Sequence, residues 1–225
     1  MNVVSLLPTG KKYSVGKILC LGRNYAEHAK EMGGGAPSTP IIFLKPSTAI
    51  IGNGEPIVLP GMSKEVHHEV ELTVLLGRKG KNIPQAEALD YVEGYAIGLD
   101  MTMRDRQREA KAVGNPWSIA KGFDTSAPLS PFVAKSEITD PNNLSISLKL
   151  NGVERQRSNT SNMIFKIDYI IAFLSSIFTL EEGDVIYTGT PEGVGKVSAG
   201  DVIDAEITGV GKLHHPVVAA SKVAR

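Results

Sequence analysis

The sequence predicts an α+β protein in which β-strands predominate, and three observations carry that expectation. Apolar runs of strand length recur along the chain, at 17–22, 41–45, 56–59, 67–77, 91–99, 144–150, 184–188, 202–207 and 212–218. Helical periodicity is confined to a few stretches, the longest at 161–176, where Ile164, Ile167, Ile171 and Leu174 recur at helical spacing. The helices do not alternate with the strands, which argues against a doubly wound sheet or a (β/α)8 barrel.

Taken in order, residues 1–16 read as an N-terminal arm closed by Gly16, and 17–225 as a single domain. After a buried strand at 17–22, Asn24 to Met32 reads as a short helix. Gly33-Gly34-Gly35, with Pro37 and Pro40 beyond, ends it and offers a hinge. A short helix at 84–90 has Pro84 at its first turn. The apolar strand 91–99 runs into Asp100 and a polar helix at 102–112. Leu144, Ile146, Leu148 and Leu150 alternate as in a half-buried strand, and Asn151-Gly152 is a strong hairpin turn. In the 161–176 helix, Phe165, Ile170 and Phe173 widen the apolar stripe, so burial on more than one side is expected.

Composition narrows the function. Twenty-four basic and 24 acidic residues cancel, and no Lys/Arg-rich run occurs, so nucleic acid is set aside as a partner. No apolar run approaches the roughly 20 residues of a membrane span, and the N-terminus lacks a signal-peptide pattern. The single cysteine, Cys20, lies in Ile18-Leu19-Cys20-Leu21 and reads as a small core hydrophobe; a reducing cytoplasm is the expected location.

Chemistry concentrates in two places. His67-His68-Glu69-Val70-Glu71 opens an otherwise apolar strand, and alternation places Glu69 and Glu71 on one side. Two carboxylates so close repel, and a shared proton, a basic partner or a metal must compensate; on spacing alone a solvent-facing edge strand would serve as well. Asp100, ending an apolar strand, is a third acid. Three carboxylates would form a hard oxygen site suited to Mg2+ or Mn2+, with Lys121, Arg104 and Lys45 available to balance charge. The two histidines point to opposite faces, so at most one could join. The second place is Asn24–Glu31, where His28 and Glu31 share a helix face, either as an ordinary charged surface or as an imidazole oriented by a carboxylate for general-base work. Gly189–Val197 only superficially resembles a phosphate loop, His214-His215 reads as a surface pair, and Trp117 as packing.

The order Gly22-Arg23-Asn24-Tyr25…His28, Phe43-Leu44-Lys45-Pro46, His68-Glu69-Val70-Glu71, Leu99-Asp100, Arg104-Asp105-x-Gln107, Ala120-Lys121-Gly122-Phe123 and Thr188-Gly189-Thr190-Pro191 resembles the fumarylacetoacetate hydrolase superfamily, within it the short acylpyruvase branch, which includes fumarylpyruvate and acetylpyruvate hydrolases. The resemblance spans about residues 17–218. It implies a mixed β-roll with peripheral helices, of the superfamily's C-terminal-domain type, and a homodimer. By the same resemblance Glu69, Glu71 and Asp100 match the metal ligands, and His28 and Glu31 the water-activating pair on a lid. Lys121 is a further catalytic residue, Gln107 and Thr190 lie on the substrate side, and Arg23, Lys45 and Arg104 are substrate-binding contributors. The expected activity is metal-dependent hydrolysis of the C–C bond of acylpyruvates, with oxaloacetate decarboxylation or keto–enol tautomerisation as alternatives at the same site. A non-catalytic binding module is disfavoured because every motif residue is present.

Overall fold

The Glu69–Asp100 neighbourhood exists because one long apolar segment breaks in the middle. The computed structural model describes residues 2–31 and 33–220. In chain order the strands and helices are β1 (Val3–Leu7), β2 (Lys11–Ser14), β3 (Ile18–Gly22), α1 (Ala26–Glu31), β4 (Ile41–Lys45), β5 (Ile50–Gly52), β6 (Ile57–Leu59), β7 (Val66–His68), β8 (Val70–Leu76), β9 (Val92–Leu99), β10 (Thr102–Met103) and α2 (Arg104–Ala112). They continue with α3 (Ser118–Lys121), β11 (Ala127–Leu129), β12 (Phe132–Ala134), β13 (Ser145–Leu150), β14 (Val153–Asn159), α4 (Ile167–Ile177), β15 (Val185–Tyr187), β16 (Gly195–Val197), β17 (Val202–Ile207) and β18 (Gly211–Ala219). The α+β, predominantly β expectation holds.

Among the described residues the strands form three sheets. A ten-stranded mixed sheet runs β2-β1-β12-β9-β8-β15-β3-β4, with β11 and β5 attached at β9; β7, β10 and β16 form a small sheet; β14-β13-β17-β18-β6 form the third. Residues 3–14, the outer part of the expected arm, supply the two strands at one end of the large sheet. Every residue of β8 is buried, since both faces of the sheet are covered. One face packs against α4 and the five-stranded sheet through residues such as Leu72, Ile97, Ile146 and Ile171; the other holds Ile18, Cys20, Leu75, Phe132 and Tyr187. Cys20 is fully buried there, as a core hydrophobe should be.

Four local expectations change. The segment 67–77 is two strands, not one: β7 pairs with β10 and β16, β8 with β9 and β15, and Glu69 sits at the junction. The helix expected at 161–176 begins only at Ile167, because the side chain of Asn24 holds the preceding chain extended. Its Oδ1 accepts the Phe165 N–H at 2.7 Å and its Nδ2 donates to Phe165 O at 3.0 Å, while Tyr25 and Met163 form a β-bridge. The turn at Gln85–Tyr91 is a 3-10 helix. The helix expected over Asn24–Met32 spans Ala26–Glu31, and Met32 lies outside the described residues, as do 221–225 of the expected 17–225 domain. No helix is long and apolar enough to cross a membrane among the described residues.

His214 and His215 are not a surface pair. His214 is exposed beside Asp204, but His215 is fully buried, its Nδ1–H donating to Glu55 O at 2.7 Å while Nε2 has no partner. Burial, the largest influence, holds its imidazole below the ordinary value. The folded protein therefore refuses a proton that the unfolded chain accepts below about pH 6.5. This contribution to stability is complete above that pH and is lost as pH falls through the window below it. The melting temperature should drop more steeply between about pH 7 and 5.5 in the natural protein than in His215→Gln; parallel profiles would show that His215 is not the group responsible.

Candidate active site and metal centre

The β8–β9 register builds the acidic floor. Val70 pairs with Leu99 and Glu71 with Gly98, so the chain leaving β9 meets the break before β8, and the Asp100 N–H donates to Glu69 O at 2.9 Å. Glu69, Glu71 and Asp100 thereby bring one carboxylate oxygen each within 4.8 Å of one another, all buried. They lie at a cleft enclosing about 370 Å³ of non-protein space, its mouth included, onto which Glu69 and Glu71 open directly.

Three cations surround this floor. Lys121 Nζ donates to Asp100 Oδ2 (2.5 Å), Thr102 Oγ1 (2.6 Å) and Glu69 Oε2 (2.9 Å), which occupies all three of its protons. Arg104 pairs with Glu69 Oε1 through Nη2 and donates from Nη1 to Gln107 Oε1 at 2.7 Å. Lys45, with no side-chain exposure, lies 2.8 Å from Asp100 Oδ1 but off the hydrogen-bonding direction; its Nζ donates to the carbonyls of Met101 and Lys121. Lys45 thus braces Asp100 from below and does not line the cleft.

The third carboxylate is left over. Burial raises the Glu69 carboxyl, but Lys121 and Arg104 overcome it and hold it well below the usual range. Burial lowers Lys121, but Asp100 and Glu69 outweigh it and raise its ammonium. Glu71 has no cation partner among the described residues; its Oε2 accepts the Gly189 N–H at 2.7 Å. Burial first, then the charges of Asp100 and Glu69, push it well above the usual range. Of the three remedies the sequence left open, basic partners serve Glu69 and Asp100, and Glu71 still lacks one. A hard divalent cation fits that donor set: three carboxylate oxygens, one on a group that resists ionising alone, and an Asp100 Oδ1 without a hydrogen bond. His67 and His68 take no part, bonding instead to Glu65 (3.0 Å) and Gln156 (3.0 Å).

The cleft is also lined by His28 of the His28–Glu31 pair. His28, buried on α1, faces the cleft with Nδ1 3.2 Å from Glu31 Oε2, and Glu31 accepts the Gly193 N–H at 3.1 Å. The Gly189–Gly195 loop therefore touches the floor through Gly189 and the α1 pair through Gly193. Gly189 has φ 98° and its backbone lies where a Cβ would come within 2.6 Å of Asn24 Cβ, so only glycine brings the loop this close. Thr190 lines the cleft, its hydroxyl donating to Val70 O at 2.8 Å. Gln107 is buried at the cleft wall, and Arg23 lines the cleft half-buried.

Sequence reasoning missed three contributors. Gln156, fully buried on β14, makes four hydrogen bonds: Oε1 accepts from His68 Nδ1 (3.0 Å) and the Val70 N–H (3.1 Å), and Nε2 donates to Thr190 Oγ1 and Pro191 O (both 2.9 Å). It lies in a strand of mostly exposed polar residues, and no local signal marks it. Lys111 stands on the α2 face of Arg104 and Gln107, at i, i+3 and i+7, a spacing that could have found it. Trp117 is not simple packing: it lines the cleft, 5.9 Å from Phe43 and 5.0 Å below the Lys111 ammonium. Burial and the charges of Arg23, Arg104 and Lys121 lower the Lys111 ammonium.

The geometry has known counterparts. Residues 17–218 match the family model described as fumarylacetoacetate (FAA) hydrolase C-terminal. The oxaloacetate tautomerase FAHD1, mitochondrial, of Rattus norvegicus is 52% identical over 96% of this chain and 98% of that protein. The solved fumarylpyruvate hydrolase from Pseudomonas aeruginosa in complex with Mn2+ and pyruvate superposes with a TM-score of 0.94 at 37% identity, over 97% of this chain and 96% of that one. The 5-carboxymethyl-2-hydroxymuconate delta-isomerase from Mycobacterium smegmatis gives 0.84 at 44% identity, over 93% and 81%. The chain belongs to the fumarylacetoacetate hydrolase family.

Two outcomes follow from this arrangement. The raised Glu71 carboxyl predicts that Mn2+ uptake near about pH 6 releases protons; calorimetric heats that do not vary with the ionisation enthalpy of the buffer would contradict this. Replacing Gln156 with Leu strands several buried partners at about 1–3 kcal/mol each, so denaturant titration should show a loss of at least about 2 kcal/mol; a neutral substitution would remove its assigned bracing role.

Proposed function

We propose that this protein is a divalent-metal-dependent enzyme of small 2-oxo acids, with the keto–enol tautomerisation of oxaloacetate as its first activity. The observation that carries the reading is the three-carboxylate floor, with Glu71 lacking a cation partner among the described residues, in one cleft with the His28–Glu31 pair. The 52% identity to an oxaloacetate tautomerase supports the choice of substrate. Glu69, Glu71 and Asp100 would hold Mg2+ or Mn2+, and that ion supplies Lewis acidity where negative charge develops on the 2-oxo oxygen.

The chain's own residues do the rest. His28, oriented through Nδ1 by Glu31, takes the proton from C3; the 2-oxo oxygen takes up one proton from solvent as His28 gives its own back to solvent, which completes the enol, and ketonisation runs the same transfers in reverse. Lys121, held at the floor by Glu69, Asp100 and Thr102, places positive charge beside the 2-oxo oxygen and can release one of its three hydrogen bonds to it. Arg104 and Gln107 fix the α2 wall, and the Thr190 loop closes the end near the substrate carboxylate. The α1 segment covers the reacting carbons and limits water.

Hydrolysis of acylpyruvates is the second reading, favoured by the same His28–Glu31 pair. His28 would take a proton from water, hydroxide would attack the 4-carbonyl, and C3–C4 cleavage would leave its electron pair on the pyruvate fragment. The 37% identity to a fumarylpyruvate hydrolase supports it. Decarboxylation of oxaloacetate draws on the same electron sink but needs no base at C3. A cytoplasmic location and a homodimer belong to the proposal. The first is supported by a lone, buried thiol. The second is supported by the edge strand β4, with Leu44 45% exposed, and by Ile119 on the adjoining α3, 63% exposed.

The test is the ultraviolet enol band of oxaloacetate, followed with protein and Mg2+ with and without a chelator, alongside acetylpyruvate and a pyruvate assay. Chelator-sensitive equilibration without pyruvate is the expected result, and pyruvate from acetylpyruvate would instead place hydrolysis first. His28→Ala should slow the reaction by roughly 10²–10⁴-fold while still binding Mn2+; near-normal turnover would rule out the assigned role.

A further inference from the structure

Lys121 is carried to the floor by a corner of the chain with an unusual shape. It is the last residue of α3, and β11 begins at Ala127. The segment between them is tied to the floor by backbone groups. The Ser126 hydroxyl donates to Lys121 O at 2.9 Å, Lys45 Nζ donates to the same carbonyl, and the Met101 N–H donates to Ser126 O at 3.0 Å. Ser126, fully buried, therefore joins Lys121 to the residue that follows Asp100. The two side chains that meet at 2.5 Å, Lys121 and Asp100, are thus also linked through their backbones at one point.

The residue before Ser126 sets that point. Thr125 has a φ of 65°, and it is the one β-branched residue in the left-handed region among the described residues. Two heavy atoms on Cβ make that region unfavourable, and Gly or Asn occupies it more readily. Such a conformation persists only where the surroundings enforce it. Here the hydroxyl accepts the Val58 N–H at 3.0 Å and donates to Val58 O at 3.4 Å. Val58 is the middle residue of β6, the last strand of the five-stranded sheet, so the Thr125 side chain takes the pairing position of a strand beyond it. The corner clamps that sheet to β11 of the large one, directly after the lysine. Thr125 does not line the cleft.

We propose that Thr125 is a positioning residue for Lys121: its clamp on Val58 holds the 122–126 corner and, through Ser126, sets where the Lys121 ammonium stands beside Asp100. The inference rests on the role given to Lys121 in the 2-oxo acid reading above and adds what keeps that charge in place. With the clamp gone, the corner relaxes toward ordinary backbone angles, and Lys121 O moves with Ser126. No group lining the cleft is removed, so substrate still binds. The ammonium then meets the charge developing on the 2-oxo oxygen out of position, and the loss falls on the rate.

The test separates rate from folding. The natural protein, Thr125→Val, Thr125→Gly and Thr125→Ser are compared in melting temperature and in kcat and KM with Mg2+ and oxaloacetate. Val keeps the branch and the strain without the hydroxyl. Gly loses both, so relief of strain offsets the lost clamp and keeps the chain folded. Ser keeps the hydroxyl. In the Val and Gly variants kcat should fall about tenfold or more with KM held within about twofold, and in the Ser variant both should stay within about twofold. The Gly variant should show this loss even where it melts close to the natural protein. A natural kcat in the Val or Gly variant, whatever its melting temperature, would mean that the threonine serves folding alone and overturns the proposal. A loss confined to KM, or an equal loss in the Ser variant, overturns it too. Absence of turnover of both oxaloacetate and acetylpyruvate by the natural protein with Mg2+ overturns the 2-oxo acid reading, and this role of Thr125 with it.

Discussion

The architecture around the cleft depends on crowding of like charge. Three carboxylates are held with oxygens inside 4.8 Å of one another in a place water hardly reaches. Burial penalises each charge, and each charge penalises the others. Lys45, Lys121 and Arg104 come from β4, α3 and α2, three separate elements, and each is tied to the same acids. Much of the packing outside the sheets can be read as the delivery of those cations. The Asp105 carboxylate, for instance, accepts the Ser63 hydroxyl and the Lys64 N–H and so pins the first turn of α2, where Arg104 begins its reach.

The Gly189–Gly195 segment connects the two halves of the site. Its first N–H restrains Glu71 on the floor and a later one restrains Glu31 beneath His28, while Gln156 grips it from behind. Displacing it would disturb an acid of the floor and the orientation of His28 together, so the loop couples the two parts of the cleft. Thr190 shows what this costs in versatility: its hydroxyl proton is committed to Val70 O and its oxygen accepts from Gln156 Nε2, which leaves at most one lone pair or the backbone for the cleft.

Much of this was legible in the sequence, and the limits have physical reasons. The strands of the large sheet could be found because buried strands are continuous apolar runs, and Glu69, Glu71 and Asp100 stood out as acids embedded in them. The convergence of Glu69 and Glu71 was anticipated from simple alternation, yet the chain achieves it at a strand break, which apolar periodicity cannot register. The late start of α4 is set by Asn24, about 140 positions earlier, and the burial of His215 by its parallel and antiparallel partners β6 and β17. Gln156 carries no local signature because all four of its partners are remote in sequence. Lys111 was within reach, since the helical repeat from Arg104 through Gln107 leads to it directly.

The triple contact of Lys121 bears on what the floor needs from outside the chain. With its ammonium bridging Glu69, Asp100 and Thr102, and with Lys45 and Arg104 alongside, the floor is electrically tolerable once Glu71 keeps its proton. Lys45, Lys121 and Arg104 equal the three carboxylates in number, so the charges of the folded floor are matched by side chains of the same chain. A floor of three bare acids would instead leave three like charges to be neutralised from solution.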